Sequence, residues 1–346
     1  MRNFRLLRLI CIALPAALAP AVRGGAASAQ DTPVTLRFSH WSPPQHPMSQ
    51  IAVPDWVNAI EKASNGSIKI QVFPAQQLGK AVDHYDIARD GVADISWANA
   101  GLQPGRFPVA QALEMPWLYS DPAGATLAFD EWYRPLAQKE MKDVRVCLLH
   151  ALFPSVVHSK RELKSIDDFK GLKIRTANAT QARYASGMGA VIVPVPAPEA
   201  RDAIEKGVAD SILFPWQSLI IFGIDNILNY HMDAPFSGNG FELMFNKAAY
   251  DRLSPNQKKV IDAHCTPEWS ARFASAWNKM EADGRGTLAA KPGHVLYKPS
   301  DKFMSDVRAA VDPVKKEWAD SVRKAGYDPD ALWNELIEKL KKHNAT

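Results

Sequence analysis

A repeated order of strands and helices is the feature that most constrains how this chain folds. Apolar and polar residues alternate over residues 34–39 and 67–73, and helical segments separate these strands from a third strand at residues 92–97. After Lys173 the chain again reads strand, helix, strand, helix, strand. Strands that alternate with helices form a mostly parallel sheet. The sequence therefore predicts an α/β protein built from two such units.

A short internal match supports the likeness of the two units. Residues 91–94 read Gly-Val-Ala-Asp, and residues 207–210 repeat these four residues. Each copy leads into an apolar strand that ends near a tryptophan, Trp97 in the first unit and Trp216 in the second. This equivalence predicts two similar α/β domains joined by crossing strands and a long helix. Ligands of such proteins bind in the cleft between domains, beyond the carboxyl ends of the strands.

Residues 1–29 have the features of an export signal. Arginines without any acidic residue accompany an apolar run over residues 9–22, and Ala27-Ser28-Ala29 forms a small-residue cleavage site. The run is short for a membrane span, and Pro15 and Pro20 interrupt it, so an uncleaved anchor is the weaker alternative. Cleavage after about Ala29 predicts an exported protein with no stable membrane insertion.

The mature chain is long enough for two domains. We expect domain I to comprise residues 30–156 and about 241–282. Domain II, with the C-terminal helices, is expected to comprise residues 157–240 and about 283–346. Within these bounds, residues 254–289 form the predicted long helix, which Pro267 interrupts, and residues 301–325 and 328–342 form two amphipathic helices at the C-terminus.

The charge balance argues against nucleic acid as a partner. The whole chain has 41 basic and 37 acidic residues, but four of its arginines lie in the predicted signal. The mature chain therefore has as many basic as acidic residues and no basic tract. Such a chain lacks the electrostatic footprint of a nucleic-acid-binding or polybasic membrane-binding protein.

The cysteines and histidines of the mature chain give little indication of a disulfide or a metal site. Cys147 and Cys265 remain after processing; they are expected to be two buried free thiols, although an oxidising compartment would allow them to pair. His40 and His46 have no third ligand nearby, and no Cys-x-x-Cys spacing occurs. We therefore expect no metal site and no cofactor.

Arg175 is the candidate anchor for a ligand. It ends the strand Gly-Leu-Lys-Ile-Arg at residues 171–175, in which Leu172 and Ile174 alternate with basic residues. Arginine is always charged, and its rigid fork matches a carboxylate in a bidentate pair. Arg175 at a strand end thus predicts capture of an organic acid. The alternative is a solvated surface pair, which is common for arginines on strands.

A proline-rich loop presents further candidate site residues. His40 and Trp41 follow the first strand and precede three prolines within five residues, which exclude regular structure. They are expected to line the ligand pocket together with Trp97 and Trp216. The alternative is that Trp41 fills the core while the histidines face solvent. His40 or Asn99 is expected to favour hydroxylated ligands if either reaches the far end of the pocket.

Four separated motifs, taken together, resemble a known family. They are Phe73-Pro-Ala-Gln-Gln-Leu-Gly79, Gly105-Arg-Phe-Pro108, Ser165-Ile-Asp-Asp-Phe-Lys-Gly171 and Gly171-Leu-Lys-Ile-Arg175. Their order and spacing resemble those of the DctP-type solute-binding proteins of TRAP (tripartite ATP-independent periplasmic) transporters. The resemblance implies a periplasmic receptor that closes two domains on an organic acid and delivers it to TRAP membrane subunits. It also implies that Arg175 binds the ligand carboxylate.

Two departures from the family pattern make the expected pocket more apolar. Phe214 stands where the family often has a polar ligand contact, and no second arginine occurs near residues 153–155, where receptors for polar acids place one. The resemblance therefore implies an aromatic or bulky monocarboxylate, held between Arg175 and the aromatic residues Trp41, Trp97, Phe214 and Trp216.

Two other functions are weaker alternatives. A sensing protein of the same fold would pass its closed shape to a membrane kinase, and the sequence does not distinguish this from transport. An exported enzyme is less well supported, because the chain lacks Gly-x-Ser-x-Gly and His-Glu-x-x-His. We expect a monomeric, non-enzymatic receptor.

Overall fold

A computed structural model describes residues 31–346 of the protein. The predicted export signal and its cleavage site lie outside the described residues.

The strands agree with most of the predicted ones. They are β1 (Val34–Ser39), β2 (Ile68–Phe73), β3 (Ile95–Ala98), β4 (Val144–Ser159), β5 (Lys173–Thr176), β6 (Val191–Pro194), β7 (Ser211–Phe214), β8 (Tyr230–Met232), β9 (Ser237–Asn246) and β10 (Val295–Tyr297).

The α-helices follow the predicted alternation in both halves. They are α1 (Val53–Ala63), α2 (His84–Arg89), α3 (Pro122–Glu140), α4 (Ala179–Gly187), α5 (Ala197–Glu205), α6 (Trp216–Ile221), α7 (Lys247–Asp251), α8 (Pro255–Ala263), α9 (Pro267–Ala290), α10 (Asp301–Val311), α11 (Pro313–Lys324) and α12 (Pro329–Lys342).

The sheet consists of two parallel halves joined by two antiparallel strands. Its order is β2-β1-β3-β9-β4-β7-β5-β6, so that β2-β1-β3 and β7-β5-β6 form the parallel halves. The strands β9 and β4 cross between them. The segment of β4 before residue 156 pairs with β9, and its last four residues pair with β7. The predicted architecture of two similar α/β units and crossing strands is confirmed.

The Gly-Val-Ala-Asp match marks an equivalent backbone turn in the two halves. Gly91 and Gly207 both have positive φ, 72° and 69°, a conformation that glycine adopts without strain. The amide of Asp94 donates to the carbonyl of Arg37 in β1, and the amide of Asp210 donates to that of Lys173 in β5, at 2.9 and 2.8 Å. The repeated sequence thus forms the same connection from helix to strand twice.

Helix α9 packs against the cores of both halves, as expected for the long helix predicted to join the two domains. Its Phe273 and Trp277 belong to the apolar cluster of the first half, and its Leu288 packs with Ile212 of β7 in the second half. Pro267 begins this helix, which confirms that it separates α8 from α9. The domain boundaries given above stay a prediction.

Two predicted elements differ in extent, and two observed elements were not predicted. Strand β3 begins at Ile95 and not at Val92, because the preceding residues form the turn described above. The helix predicted for residues 301–325 is split into α10 and α11 at Pro313, whose ring cannot donate a backbone hydrogen bond. The periodicity of the sequence predicted neither α3 nor the 16-residue strand β4.

The prediction of free thiols is wrong, because Cys147 and Cys265 form a disulfide. Cys147 lies in β4, and Cys265 lies in the turn between α8 and α9. Residues 118 positions apart in the sequence are thereby linked. Packing of α8 and α9 against β4 brings the two residues together, and sequence spacing does not reveal such proximity.

The disulfide is expected to contribute strongly to stability. Replacing Cys147 and Cys265 by serine frees a long loop in the unfolded chain and should lower the free energy of unfolding by about 2–5 kcal/mol. Urea unfolding of the double variant measures this loss, with the reduced wild-type protein as the matched control. Equal midpoints for the oxidised wild type and the double variant would contradict the prediction.

Candidate functional site

A cavity lies where the strand ends of the two halves face each other. The last residue of β3 pairs with Glu242 of β9, which in turn pairs with Leu149 of β4. The last residue of β7 pairs with Val156 of β4. The part of β4 between these points crosses the floor of the cavity, whose empty space amounts to about 500 Å³ when the open solvent at its mouth is included. The lining residues are Trp41, Ala81, Asn99, Leu102, Leu152, Ser155, Arg175, Ala177, Pro196, Ala197, Phe214, Pro215, Phe222, Asn239, Phe241 and Trp277.

Arg175 is a buried cation without a carboxylate partner. Its side chain is 1% exposed, and it forms no salt bridge within residues 31–346. Its Nε donates to the carbonyl of Val195 at 2.8 Å, while Nη1 is buried with no partner. Burial lowers the pKa of Arg175 to about 9, and the nearby Glu199 opposes this shift only partly. Because arginine stays protonated at neutral pH, a bound anion would offset the cost of burying this charge.

Aromatic rings form much of the remaining wall. Trp41, Phe214, Phe241 and Trp277 line the cavity, and the ring of Phe214 lies 5.1 Å from the guanidinium carbon of Arg175. Phe241 and Trp277 contact each other with their ring centroids 5.2 Å apart. These surfaces suit a flat apolar ligand body, because offset or edge-to-face contacts between rings stabilise a complex.

A hydrogen-bond network holds the polar floor of the cavity. Asn239 Nδ2 donates to Ser155 Oγ at 3.4 Å, and Asn178 Nδ2 donates to Asn239 Oδ1 at 3.0 Å. Tyr119 Oη accepts a hydrogen bond from the backbone amide of Asn239 and donates one to the backbone carbonyl of Leu152. A side chain at Gly238 would collide with the Tyr119 ring, so glycine is required there. The network fixes β4 and β9 beneath the cavity.

Four of the seven predicted site residues line this cavity. They are Arg175 and Phe214 from the second half, with Trp41 and Asn99 from the first. Arg175 and Phe214 lie in the neighbouring strands β5 and β7, and Trp41 and Asn99 follow the neighbouring strands β1 and β3. The carboxyl ends of the strands thus bring them together, as open α/β sheets do.

The structure places the other three predicted residues behind the wall. Trp97 stacks on the far side of Trp41, with centroids 4.9 Å apart, and donates to His150 Nε2 at 3.0 Å. Trp216 packs edge-on against His158. His40 is buried against Phe38, and burial together with the neighbouring His84 lowers its pKa to about 4. These residues support lining residues and do not themselves line the cavity.

Several lining residues were not singled out from the sequence. Asn239 stands between two glycines, a pattern that indicates close backbone packing and could have marked it. Trp277 belongs to a helical stripe whose spacing indicated packing, and it both packs and lines the cavity. Leu152 and Ser155 lie in the unpredicted strand β4. No local pattern marks these two residues as part of a site.

Three histidines form a hydrogen-bonded chain from the cavity wall outward. His158 Nε2 lies 3.1 Å from the carbonyl of Phe214, His158 Nδ1 lies 2.7 Å from His231 Nδ1, and His231 Nε2 lies 2.8 Å from His294 Nδ1. Because a carbonyl only accepts, His158 donates to it, and each following histidine then donates to the one before. An additional proton fits only at His294 Nε2. Burial lowers the pKa of all three histidines.

The described residues show neither a grouped metal site nor a membrane-spanning helix. Across residues 31–346, no three or more His, Cys, Asp or Glu side chains are grouped so as to hold a metal ion. No helix in this part of the chain is both long enough and apolar enough to cross a bilayer.

Comparisons of the sequence and of the structure with known proteins agree on one family. The family model DctP, described as bacterial extracellular solute-binding protein family 7, matches residues 38–321. Solved structures of TRAP solute-binding proteins superimpose over most of the chain. One from Rhodoferax ferrireducens, in complex with copurified benzoate, has a TM-score of 0.84 and 28% identity, covering 90% of this chain and 98% of its own.

Two further structures are similarly close. A solute-binding protein from a marine metagenome, described as specific for aromatic acid ligands and bound to 3-hydroxybenzoate, has a TM-score of 0.84 and 28% identity, with 90% of this chain and 99% of that chain covered. One from Bordetella bronchiseptica, with bound (R)- and (S)-mandelate, has a TM-score of 0.84 and 26% identity at the same coverage.

Proposed function

The chain belongs to the DctP family of bacterial extracellular solute-binding proteins, and from this we propose that it captures an aromatic monocarboxylate for a TRAP transporter. Members of this family are receptors and not enzymes. In this proposal the leader is cleaved after about Ala29, and the mature protein acts in the periplasm as a monomer without catalytic activity. It delivers its ligand to the TRAP membrane subunits.

The observation that carries the proposal is the buried guanidinium of Arg175, which has no carboxylate partner among the described residues and an unpaired Nη1. A buried charge with a free Nη1 at a cavity wall is costly unless a ligand supplies the opposite charge. A carboxylate pairs with such a fork through two charge-assisted hydrogen bonds. We infer that the carboxylate of the ligand binds Arg175.

The rest of the lining favours one carboxylate and a ring. Arg175 is the sole charged residue among the described residues that line the cavity. The second carboxylate of a diacid would be desolvated without a partner, at a cost of several kcal/mol. The rings of Trp41, Phe214, Phe241 and Trp277 provide apolar contact instead. The benzoate, 3-hydroxybenzoate and mandelate of the similar structures fit this description.

A thermal-shift screen tests the ligand class. Benzoate, hydroxybenzoates and mandelate should stabilise the protein, whereas succinate, sialic acid and lactate should not. A ligand at a hundred times its Kd adds about 2.7 kcal/mol to the free energy of unfolding. Stabilisation by diacids or sugar acids alone would overturn the proposal.

Two phenylalanines of β9 provide a matched pair for the aromatic wall. Phe241 lines the cavity, while Phe245, on the same strand, is buried away from it. Phe241→Leu should weaken benzoate binding by about twofold to tenfold, because a ring contact is worth about 0.5–1.5 kcal/mol beyond its buried area. Phe245→Leu should leave binding unchanged. Calorimetry on the two variants separates ligand contact from loss of core packing.

A further inference from the structure

Asn99 holds a buried hydrogen-bond acceptor that the described residues leave unpaired. The residue is 6% exposed and lines the cavity. Its Nδ2 donates to the carbonyl of Gly240 at 2.9 Å, and its Oδ1 is buried with no partner. Rotating the amide by half a turn would place Oδ1 against that carbonyl, two acceptors facing each other. The bond to Gly240 therefore fixes which atom remains free.

The backbone around Asn99 keeps this acceptor in place. Asn99 follows the last residue of β3, and its carbonyl accepts from the amide of Leu102 at 3.1 Å. A side chain at Gly101 would come within 2.9 Å of Asn99 Oδ1 and would also collide with Glu114. Glu114 and Asn178 occupy the space that such a side chain would take, so glycine is required at this position.

Trp41 contributes an unpaired donor from the same half. It lines the cavity, and its Nε1 is buried without a partner within residues 31–346. The parallel pairing of Ser39 with Ser96 brings the segments of Trp41 and Asn99 to the same end of the sheet. An unpaired acceptor and an unpaired donor together match a hydroxyl group, which both donates and accepts.

We propose that the ligand is an aromatic monocarboxylate with a hydroxyl on its ring, and that this hydroxyl donates to Asn99 Oδ1 and accepts from Trp41 Nε1. The inference rests on the proposed function and deepens it. Arg175 belongs to the opposite half of the cleft, so the hydroxyl lies at the end of the ligand away from the carboxylate. A hydroxyl next to the carboxylate, as in mandelate, would stay near Arg175.

A site built for a hydroxyl discriminates strongly against ligands that lack it. Without the hydroxyl, the buried polar atoms of Asn99 and Trp41 stay unpaired in the complex, which should cost about tenfold to a hundredfold in affinity. A methoxy group of similar position accepts but cannot donate, so it leaves Asn99 unsatisfied. An amino group donates and should recover part of the affinity.

Calorimetry with the wild-type protein and benzoate derivatives tests the inference. The three hydroxybenzoates, their methoxy and amino counterparts and benzoate itself serve as probes. At least one hydroxybenzoate should bind about tenfold or more tightly than benzoate, and its methoxy counterpart should bind no more tightly than benzoate. Mandelate should bind within about threefold of phenylacetate, because its hydroxyl lies at the wrong end.

Asparagine variants then assign the preference to one residue. Asn99→Leu should reduce the ratio of hydroxybenzoate affinity to benzoate affinity to below about threefold, whatever it does to benzoate affinity itself. The control is Asn229→Leu, since Asn229 Nδ2 also bonds a glycine carbonyl, that of Gly293, but lies outside the cavity. It should keep the full preference. Trp41→Phe, which retains a ring, should lose part of the preference.

The outcomes separate this inference from the function on which it rests. Equal binding of benzoate and all hydroxybenzoates, or tight binding of the methoxy compound, overturns the inference and leaves the proposed function standing. A hydroxyl preference that persists in Asn99→Leu also overturns it. If no aromatic acid binds, both fail. The wild-type ligand series decides the matter even if Asn99→Leu does not fold.

Discussion

Replacing Arg175 by methionine is expected to weaken binding of the aromatic acid by about thirtyfold to several thousandfold, because loss of a desolvated charge pair costs about 2–5 kcal/mol. The carboxylate would then be buried without a counter-ion. Arg175→Lys is not expected to restore binding, since a point charge cannot reproduce the bidentate fork. Calorimetry with benzoate or the best ligand of the screen measures both variants.

The same substitution is expected to act in the opposite direction on the ligand-free protein. Arg175 lies buried with Nη1 unpaired and without a carboxylate partner, so an apolar side chain of similar length removes a desolvation cost. The lost bond to the carbonyl of Val195 offsets part of this gain. The free energy of unfolding of Arg175→Met should therefore be unchanged or higher by up to about 2 kcal/mol.

These two measurements together distinguish a ligand-binding arginine from a structural one. A structural arginine would lose stability on substitution and leave ligand affinity intact. Arg308→Met is the control, since Arg308 stacks on Trp117 at 4.3 Å away from the cavity, and it should not change binding. Wild-type affinity in Arg175→Met, or a loss of more than about 2 kcal/mol in its ligand-free stability, would contradict the assignment.

Acid is expected to destabilise the protein, most steeply below pH 4.5. Burial holds several histidines neutral: it lowers the pKa of His40 and His84 to about 4 and that of His46, His150 and His231 to about 3. Their ordinary value is 6.5, so between pH 6.5 and these lowered values the unfolded chain binds more protons than the folded one. Stability is therefore fully present above pH 6.5 and is lost as the pH falls.

Buried carboxyl groups oppose this loss over part of the range. Burial raises the pKa of Glu114 to about 8, and it also raises that of Glu140, Glu242 and Glu281. A carboxyl group that is protonated in the fold and ionised in the unfolded chain, as Glu114 is near neutral pH, favours the folded state as the pH falls toward the ordinary value of 4.5. Below pH 4.5 the glutamates no longer oppose the loss of stability, while the histidines continue to cause it.

Between pH 6.5 and 4.5 the five histidines act against the four glutamates, and each group contributes about 1.4 kcal/mol per pH unit, so the net loss of stability in that range is small. Below pH 4.5 only the histidines act, and we expect the free energy of unfolding to fall most steeply there. Thermal unfolding followed by circular dichroism from pH 7.5 to about 3.5 measures this. His150→Gln, which can still accept from Trp97 Nε1, should reduce proton uptake on unfolding by about one. A melting temperature that falls no more steeply below pH 4.5 than above it would contradict the prediction.

Local pattern was sufficient for most of the elements and for the choice of Arg175 as candidate anchor. The alternation in β1, β2 and β5 and the Gly-Val-Ala-Asp turns depend on neighbouring residues alone, so the sequence determined two similar α/β units. Arg175 was identifiable as a candidate because it ends the strand Gly-Leu-Lys-Ile-Arg, which is also a motif of the family. The order of the family motifs then predicted the class of receptor.

Side-chain direction was decided by the tertiary structure. Trp41 and Trp97 are both aromatic residues near strand ends, yet Trp41 lines the cavity and Trp97 stacks behind it. Which face a strand-end residue presents depends on the twist of the sheet and on the groups packed against it, and a single sequence contains neither. Trp216 was displaced from the cavity in the same way by its contact with His158.

The floor of the site was likewise a product of long-range packing. Ser155 and Asn239 are brought together by pairing of β4 with β9, two strands about 84 positions apart in sequence at these residues. The disulfide of Cys147 with Cys265 depends on the same kind of contact. The sequence by itself determined most of the elements and the position of Arg175 at a strand end, because these follow from interactions between near neighbours. Only the tertiary structure decided which uncharged residues complete the cavity, because it alone brings distant segments together.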